Sequence, residues 1–292
     1  MDDEKMMRAA LREAARGVGF TSPNPAVGAV IVRGQRVVAR GWHQRAGQPH
    51  AEIEAIRALK NPSLARGATL AVTLEPCSTR GRTPPCVETI IGAGFARVVI
   101  GATDPNPKHA GRGMEVLEAA GLEVTAGVLE SECTRLNRAF NQWITTGRPW
   151  VVAKAGISLD GRLTRPPGEG QWLTNEASRA HAMRLRAEAD AILIGAQTLR
   201  ADNPRLTIRG LPGFAKKAQP LRVIFARNSR LPRAAHAFTD RHRDRTLVYR
   251  NQSLPAVLRE LGRRQVTSVL IEGGGTVLGE AFDRRLVDEV HF

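Results

Sequence analysis

Cysteine is scarce in this 292-residue chain, with three residues, and the odd number argues against a disulfide framework and for a reducing, cytosolic setting. Aromatic residues make up only 4%, too few for a base-stacking platform. No run of 18 apolar residues occurs, so a transmembrane helix is not expected. The N-terminus lacks the basic segment, apolar core and cleavage site of a signal peptide. With 42% hydrophobic residues, the chain can nonetheless build one or two globular domains.

Positively charged residues are abundant in the chain and outnumber the acidic ones. The formal net charge is +15, carried mostly by arginine and spread along the whole chain. The densest stretch, "RHRDR" at 241–245, is interrupted by Asp244, so no basic block of the kind that binds nucleic acid is seen. Phosphorylated small molecules use the same positive field, and we favour them over nucleic acid or a membrane surface as partners.

Strand and helix patterns alternate through the first half, which predicts an α/β fold with partly parallel strands. Residues 4–16 form an amphipathic pattern, and Pro49 suits the first turn of the next helix. The predicted strands cover 26–32, 36–43, 68–74, 97–102 and 122–128, and the further helices cover 49–59, 86–94 and 113–121.

A Gly-Arg-Pro break places a domain boundary near 146–149, and a second alternation follows it. A strand begins at Trp150, and a helix covers 174–189, with Thr174 as half of a capping box. The segment 211–220 is expected to be an exposed loop. Further strands are predicted at 191–199, 221–226, 246–250 and 267–275.

Three residues of the first half form a metal-binding pattern. His50 and Cys86 each stand at the start of a predicted helix, where the helix dipole favours a thiolate, and Cys77 follows a strand and a Glu-Pro turn. Three protein ligands with an open fourth position are typical of catalytic zinc. Glu52, two residues after His50, can move a proton between water and a leaving amine. The joint His-x-Glu and Pro-Cys pattern is typical of zinc deaminases, whereas a pair of ordinary buried cysteines is the alternative. We expect Cys133 to be a small, partly buried residue.

The segments "TSPNPAVGAVIV", "GWHQRAGQPHAE", "TLEPCSTRGRTPPC" and "DPNPKHAGRG" resemble the deaminase domain of the bifunctional riboflavin biosynthesis proteins. The resemblance implies a cytidine-deaminase-like α/β/α domain at 1–146. It also implies hydrolytic deamination of 2,5-diamino-6-ribosylamino-4(3H)-pyrimidinone 5′-phosphate to 5-amino-6-(5-phosphoribosylamino)uracil. Asn24 can hydrogen-bond a pyrimidine edge, and His43 either approaches the substrate or is structural. Thr79 departs from the family, which usually has histidine there, and this puts substrate contact rather than zinc binding in question.

The second half carries a different pattern. It has no G-x-G-x-x-G, but "VLIEGGGTVLGEAF" is a strand, a glycine triplet and a helix. Backbone N–H groups of Gly273–Gly275 can approach a phosphate at the helix N-terminus, although a tight strand-to-helix turn uses the same residues.

Four segments, "KAGISLDGRL", "GEGQWLTNEASR", "LRAEADAILIGAQTLRADNPRLTIR" and "IEGGG", resemble the reductase domain of the same family. The resemblance implies a dihydrofolate-reductase-like α/β domain at 147–292 that uses NADPH to reduce the ribosyl group to ribityl. Arg186 and Arg209 suit a ribose phosphate, and Glu272 suits ribose hydroxyls. The resemblance also implies which residues line the NADPH site: Gly156, Trp172, Thr198, Asp202, Arg227, Gly274, Gly275, Thr276, Val277, Leu278, Gly279 and Glu280. The residues that it implies at the substrate are Gly170, Arg186, Leu206, Arg209 and Glu272.

The second domain departs from the family pattern in three ways. Gly170 and Arg227 stand where the family often has serine, and Arg227 offers a charged fork for the 2′-phosphate of NADPH. The chain stops at "DEVHF", where related domains continue, so a weakened reductase fold or dimer contact is an expectation. The leading hypothesis is a cytoplasmic, homo-oligomeric, two-step enzyme with one zinc per chain and NADPH. The alternatives are a deaminase with a degenerate reductase domain, and a deaminase acting on nucleic acid.

Overall fold

The computed structural model describes residues 1–79, 84–107, 109–163 and 173–292. The chain divides into two compact units, Met1–Thr146 and Gly147–Phe292. Each unit contains a mixed arrangement of helices around one β-sheet, so the α/β class predicted from the alternating patterns is confirmed. None of the helices in the described ranges is long and apolar enough to span a membrane.

The first unit is a five-stranded sheet, among its described residues, flanked by helices. The strand order is β2-β1-β3-β4-β5, with β1 antiparallel to both neighbours and β3, β4 and β5 parallel. The elements are α1 Asp3–Ala15, β1 Gly28–Arg33, β2 Arg36–Trp42, α2 Ala51–Arg57, β3 Thr69–Leu74, α3 Cys86–Ala93, β4 Arg97–Ala102, α4 Arg112–Ala119, β5 Glu123–Thr125, α5 Glu130–Leu136 and α6 Arg138–Thr146.

Two glycines allow helices to approach the sheet of this unit closely. A Cβ at Gly28 would meet backbone atoms of Ala10 and Ala14 in α1, and a Cβ at Gly41 would meet Ala51 and Ala55 in α2. The second approach matters for function, because it fixes the N-terminus of α2 against β2. Every predicted strand of this half is found, although the last covers only Glu123–Thr125.

The second unit has a six-stranded sheet within its described residues, in the order β11-β6-β10-β7-β8-β9, and every pairing in it is parallel. The carboxyl ends of its strands therefore share one edge, where ligands of such sheets bind. The elements are β6 Trp150–Lys154, α7 Glu176–Glu188, β7 Ala191–Gly195, α8 Ala196–Asp202, β8 Leu221–Phe225, α9 His236–Thr239, β9 Thr246–Tyr249, α10 Leu254–Arg263, β10 Ser268–Ile271, α11 Gly275–Asp283 and β11 Glu289–His291.

Several predicted boundaries in this unit are wrong. The strand predicted at 191–199 ends at Gly195, and helix α8 begins at once because Ala196 and Leu199 both turn into the core at helical spacing. Helix α7 is capped by Asn175, whose side chain accepts from the Ser178 amide at 2.9 Å, and not by Thr174. Helix α10 was not predicted, although Leu254, Val257, Leu258 and Leu261 form its buried face.

Candidate functional site

The predicted metal ligands meet in the first unit. His50 is the N-cap of α2, Cys86 is the first residue of α3, and Cys77 lies three residues beyond β3. Their ligand atoms all lie within 4.8 Å of one another. The Cys133 thiol is buried elsewhere in the core of this unit, and burial raises its pKa to about 12, so it is an inert packing residue.

The geometry of the three ligands fits zinc. The His50 Nδ1 atom lies 3.2 Å from Cys86 Sγ and 3.6 Å from Cys77 Sγ. Ligand atoms about 2.0–2.3 Å from one tetrahedral zinc lie about 3.5 Å or slightly more from one another, so only small shifts separate this arrangement from a filled site. The Cys86 amide also donates to Cys77 Sγ at 3.4 Å, and interaction with Cys86 and His50 lowers the pKa of the Cys77 thiol to about 4. A thiolate is the form that binds metal.

Glu52 lies against these ligands in the first turn of α2. Its side chain is 3% exposed, and burial raises the pKa of its carboxyl. It also interacts electrostatically with His50 and Cys77. A carboxyl group shielded from bulk water beside a metal-binding cluster is suited to moving protons rather than to binding solvent cations.

His43 and Asn24 contact each other at the edge of this cluster. His43 Nδ1 donates to the Pro49 carbonyl at 3.0 Å, so His43 Nε2 accepts from the Asn24 amide at 3.1 Å. The His43 ring packs edge-on against His50, with ring centroids 5.3 Å apart. Because both ring nitrogens are engaged and burial lowers its pKa, His43 is a neutral support for His50 and Asn24. This favours the structural alternative for His43 and leaves Asn24 the better candidate for substrate contact.

In the second unit, a cavity of about 480 Å³ lies at the carboxyl edge of the parallel sheet. It brings together residues that are more than one hundred positions apart in the chain. Of the predicted residues, its lining contains Gly156, Thr198, Asp202, Glu272, Gly274, Gly275 and Leu278.

The glycine triplet fits a phosphate group. Gly273 and Gly274 have φ values of +146° and +83°, which side chains rarely adopt. A Cβ at Gly274 would lie 3.0 Å from the hydroxyl oxygen of Thr198, and a Cβ at Gly275 would lie 3.6 Å from Leu163, so side chains there would fill the groove. Helix α11 starts at Gly275 and directs its N-terminal amides to the same place.

A neighbouring cavity of about 680 Å³ contains Arg186 and Arg209 and shares the wall Lys154–Gly156 with the first. Lys154, at the end of β6, therefore borders both cavities, and it was missed although it is the first letter of the quoted "KAGISLDG" segment. Arg209 donates to the Thr207 hydroxyl at 3.0 Å, and burial together with Arg186 and Arg205 lowers its pKa. An anion would relieve that crowding of cations.

The structure pairs two of the predicted substrate residues with each other and buries a third in the core. Arg186 is already held by the two Glu272 oxygens, at 2.5 and 2.6 Å, and by the Thr207 carbonyl at 3.0 Å, so it is not an open phosphate clamp. Glu272 is correspondingly committed to Arg186. Leu206 is 1% exposed and packs in the core beneath α8, so only its backbone can face a ligand.

Several residues predicted to bind the cofactor do not line the 480 Å³ cavity. Arg227 is paired with Glu280 rather than left open, and its side chain is 55% exposed. Val277 is buried against Gly195, and Thr276, Gly279 and Glu280 are not among the residues lining the 480 Å³ cavity. Gly170 and Trp172 lie outside the described residues.

The first unit thus contains a His-Cys-Cys cluster with an adjacent buried glutamate, the residue set of a zinc deaminase, and the second contains a parallel sheet with a glycine-lined groove. Comparisons with known proteins agree with this class. Residues 1–102 match the cytidine and deoxycytidylate deaminase zinc-binding region, and residues 149–292 match the RibD C-terminal domain.

Similarity to curated relatives extends over nearly the whole chain. It is 41% identical to the riboflavin biosynthesis protein RibD of Bacillus amyloliquefaciens, over 99% of this chain and 83% of the relative. It is 39% identical to RibD of Escherichia coli, over 99% and 86%. The chain belongs to the RibD family of riboflavin biosynthesis proteins.

Solved structures give the same result. The chain is similar to Acinetobacter baumannii RibD with a TM-score of 0.91 and 38% identity, covering 99% of this chain and 85% of that one. A diaminohydroxyphosphoribosylaminopyrimidine deaminase/5-amino-6-(5-phosphoribosylamino)uracil reductase from Thermotoga maritima gives a TM-score of 0.90 at 37% identity, with the same coverage. The predicted assignment to a bifunctional riboflavin family is confirmed.

Proposed function

We propose that the chain is a bifunctional deaminase and reductase of riboflavin biosynthesis, with the deaminase in 1–146 and the reductase in 147–292. Its first substrate is 2,5-diamino-6-ribosylamino-4(3H)-pyrimidinone 5′-phosphate, and its second is 5-amino-6-(5-phosphoribosylamino)uracil. The observation that carries the proposal is the cluster of half-buried His50 and Cys77 with buried Cys86, beside the buried Glu52, in a chain of this family.

The residues of the first unit divide the work of deamination. Zinc bound by His50, Cys77 and Cys86 supplies Lewis-acid activation of water near neutral pH. Glu52 accepts a proton from the attacking water and passes it on to the departing amine, so that ammonia leaves as the carbonyl forms. Asn24, held by His43, orients the pyrimidine edge.

The residues of the second unit bind two phosphorylated molecules. NADPH, held at the Gly273–Gly275 turn and Thr198, supplies the hydride that converts ribosyl to ribityl. Arg209 binds the substrate phosphate in the larger cavity, and the Arg186–Glu272 pair fixes the wall between the two ligands. Lys154 borders both cavities and is placed to contact the reacting sugar.

One experiment tests both activities. Purified zinc-loaded protein is given the diaminopyrimidine phosphate with and without NADPH, and the products are identified by mass spectrometry. We expect the ribosylaminouracil phosphate without NADPH and the ribityl product with it. Ammonia release without any NADPH-dependent product would show a deaminase with an inactive second unit, and no ammonia release would refute the proposal.

Assembly and location stay predictions. We expect a homo-oligomer, which sedimentation of the purified protein measures. We also expect a cytoplasmic protein, which fractionation of cells expressing it would test.

A further inference from the structure

One loop of the first unit is hydrogen-bonded directly to the turn that carries the predicted metal ligand Cys77. Glu75, which is buried and lies two residues before Cys77, accepts three backbone N–H groups from the segment 104–113. The donors are the amides of Asp104 at 3.1 Å, Gly111 at 3.0 Å and Gly113 at 2.8 Å. A single carboxylate thus holds both ends of this segment.

Close backbone packing reinforces the attachment. A Cβ at Gly113 would meet the Pro76 carbonyl oxygen, so only glycine lets the first turn of α4 reach the Glu75–Cys77 turn. Gly111 has a φ of +79°, the conformation that turns the loop into the helix. The position of the segment relative to the Cys77 ligand is therefore built into the fold.

His109 lies on this segment and points to the other side of the same turn. Its Nδ1 atom is 3.1 Å from the hydroxyl oxygen of Thr79, two residues after Cys77. Both side chains reach solvent, His109 being half-buried and Thr79 exposed. The segment that carries His109 is therefore held on one side of Cys77 through Glu75 and contacts Thr79 on the other.

The contact has a chemical consequence. When the Thr79 hydroxyl donates to Nδ1, the proton of the neutral ring is on Nε2, across the ring from Thr79. His109 then presents an oriented N–H donor at the rim of the deaminase site. The imidazole reaches the Thr79 side chain from a second loop, 30 positions further along the chain.

We propose that His109, oriented by Thr79, binds the phosphate end of the deaminase substrate. The inference rests on the proposed function, because the reacting pyrimidine carbon must then lie at the metal. Thr79 follows Cys77 by only two residues, so the Thr79–His109 contact lies beside a predicted metal ligand, at the solvent-exposed rim of the site. An N–H donor at the rim of the site, away from the metal ligands, suits the charged end of a phosphorylated substrate.

The test measures KM and kcat for ammonia release, with the phosphorylated substrate and with its dephosphorylated form. We expect His109→Ala to raise KM for the phosphorylated substrate about 10- to 100-fold, the usual effect of losing a hydrogen bond to a charged group, with little change in kcat. The dephosphorylated substrate, which lacks the partner, should show no such rise. Zinc content should stay at the wild-type value.

Further variants separate a binding role from a structural one. Thr79→Val should raise KM less than His109→Ala does, and Thr79→Ser, which keeps the hydroxyl, should raise it less again. The exchange Thr79→His/His109→Thr returns an imidazole to the same point and should recover most of the loss. Thr145→Val is the matched control, because Thr145 donates only to its own helix backbone in α6.

The failures are distinguishable. An unchanged KM in zinc-loaded His109→Ala, or an equal rise for both forms of the substrate, overturns the inference while wild-type ammonia release upholds the proposed function. If His109→Ala does not fold, His109→Leu answers the same question, because leucine fills the space without a donor. The KM values for the two forms of the substrate are then compared within that one variant. Absence of ammonia release from the zinc-loaded wild type overturns both.

Discussion

The two units build their sites in opposite ways. In 1–146 the ligand atoms lie within 4.8 Å of one another and come from two short stretches of chain around residues 50 and 80. In 147–292 the lining of one groove runs from Lys154 to Leu278 and comes from the ends of separate parallel strands. The first site is a compact cluster of side chains, and the second is a groove that extends along one edge of a sheet.

The net charge also differs between the two units. The segment 1–146 has 18 basic and 14 acidic residues, whereas 147–292 has 25 and 14, so most of the excess belongs to the second unit. That unit is proposed to bind two phosphorylated molecules side by side, and positive potential favours both. A concentrated site should fail completely when one ligand is lost, while a distributed one should lose function in steps.

The largest effect should follow removal of both thiolates. Cys77→Ala/Cys86→Ala leaves one of three ligands, so we expect bound zinc to fall from about one per chain to background. Ammonia release should become undetectable, and NADPH-dependent reduction of the deaminated substrate should continue. Metal analysis and the two assays check this, and zinc retained by the double variant would contradict the metal site.

Glu52→Gln should keep zinc and lose the proton transfer. We expect kcat for ammonia release to fall about 10²- to 10⁴-fold, because the amide keeps the shape of the side chain without its basic oxygen. Metal analysis beside steady-state kinetics measures it. Near-normal ammonia release from a zinc-loaded variant would remove Glu52 from the mechanism.

Arg186→Met should damage the second unit alone. It leaves the Glu272 carboxylate buried without its partner, at 6% exposure, which costs about 3–5 kcal/mol in the free energy of unfolding. Denaturation followed by both assays would show a less stable chain with a lost reductase and an intact deaminase. The double variant Arg186→Met/Glu272→Met should regain part of the stability, and a single variant as stable as wild type would contradict the pairing.

Arg227 should give the smallest effect. A free arginine at a phosphate would be worth a factor of about 10–150, but this one is half-exposed and paired, so Arg227→Ala should weaken NADPH binding only about five-fold and leave NADH binding unchanged. Glu280→Gln, which releases the arginine, should tighten NADPH by a similar factor. Titration of both cofactors measures this, with Arg259→Ala as the exposed control. Equal effects on NADPH and NADH would exclude Arg227 from the phosphate site.

Local patterns predicted the elements well where one face is buried. The strand 97–102 and the helix that starts at Cys86 and ends before Gly94 are found at the predicted residues, because the apolar run and the terminating glycine are both local signals. The boundary at Gly195 was missed, because apolar residues continue beyond it and periodicity alone does not separate a strand from a buried helix.

The sequence by itself predicted the metal ligands, Glu52 and the glycine turn, because each lies in a short local motif: His-x-Glu at 50–52, Pro-Cys at 76–77 and 85–86, and Gly-Gly-Gly at 273–275. Only the tertiary structure decided which long side chains are open. Arg186 meets Glu272 across 86 positions, Arg227 meets Glu280 across 53, and Thr79 meets His109 across 30. A guanidinium or an imidazole has the same chemistry wherever it stands in the sequence, and its role depends on the partner that folding brings to it.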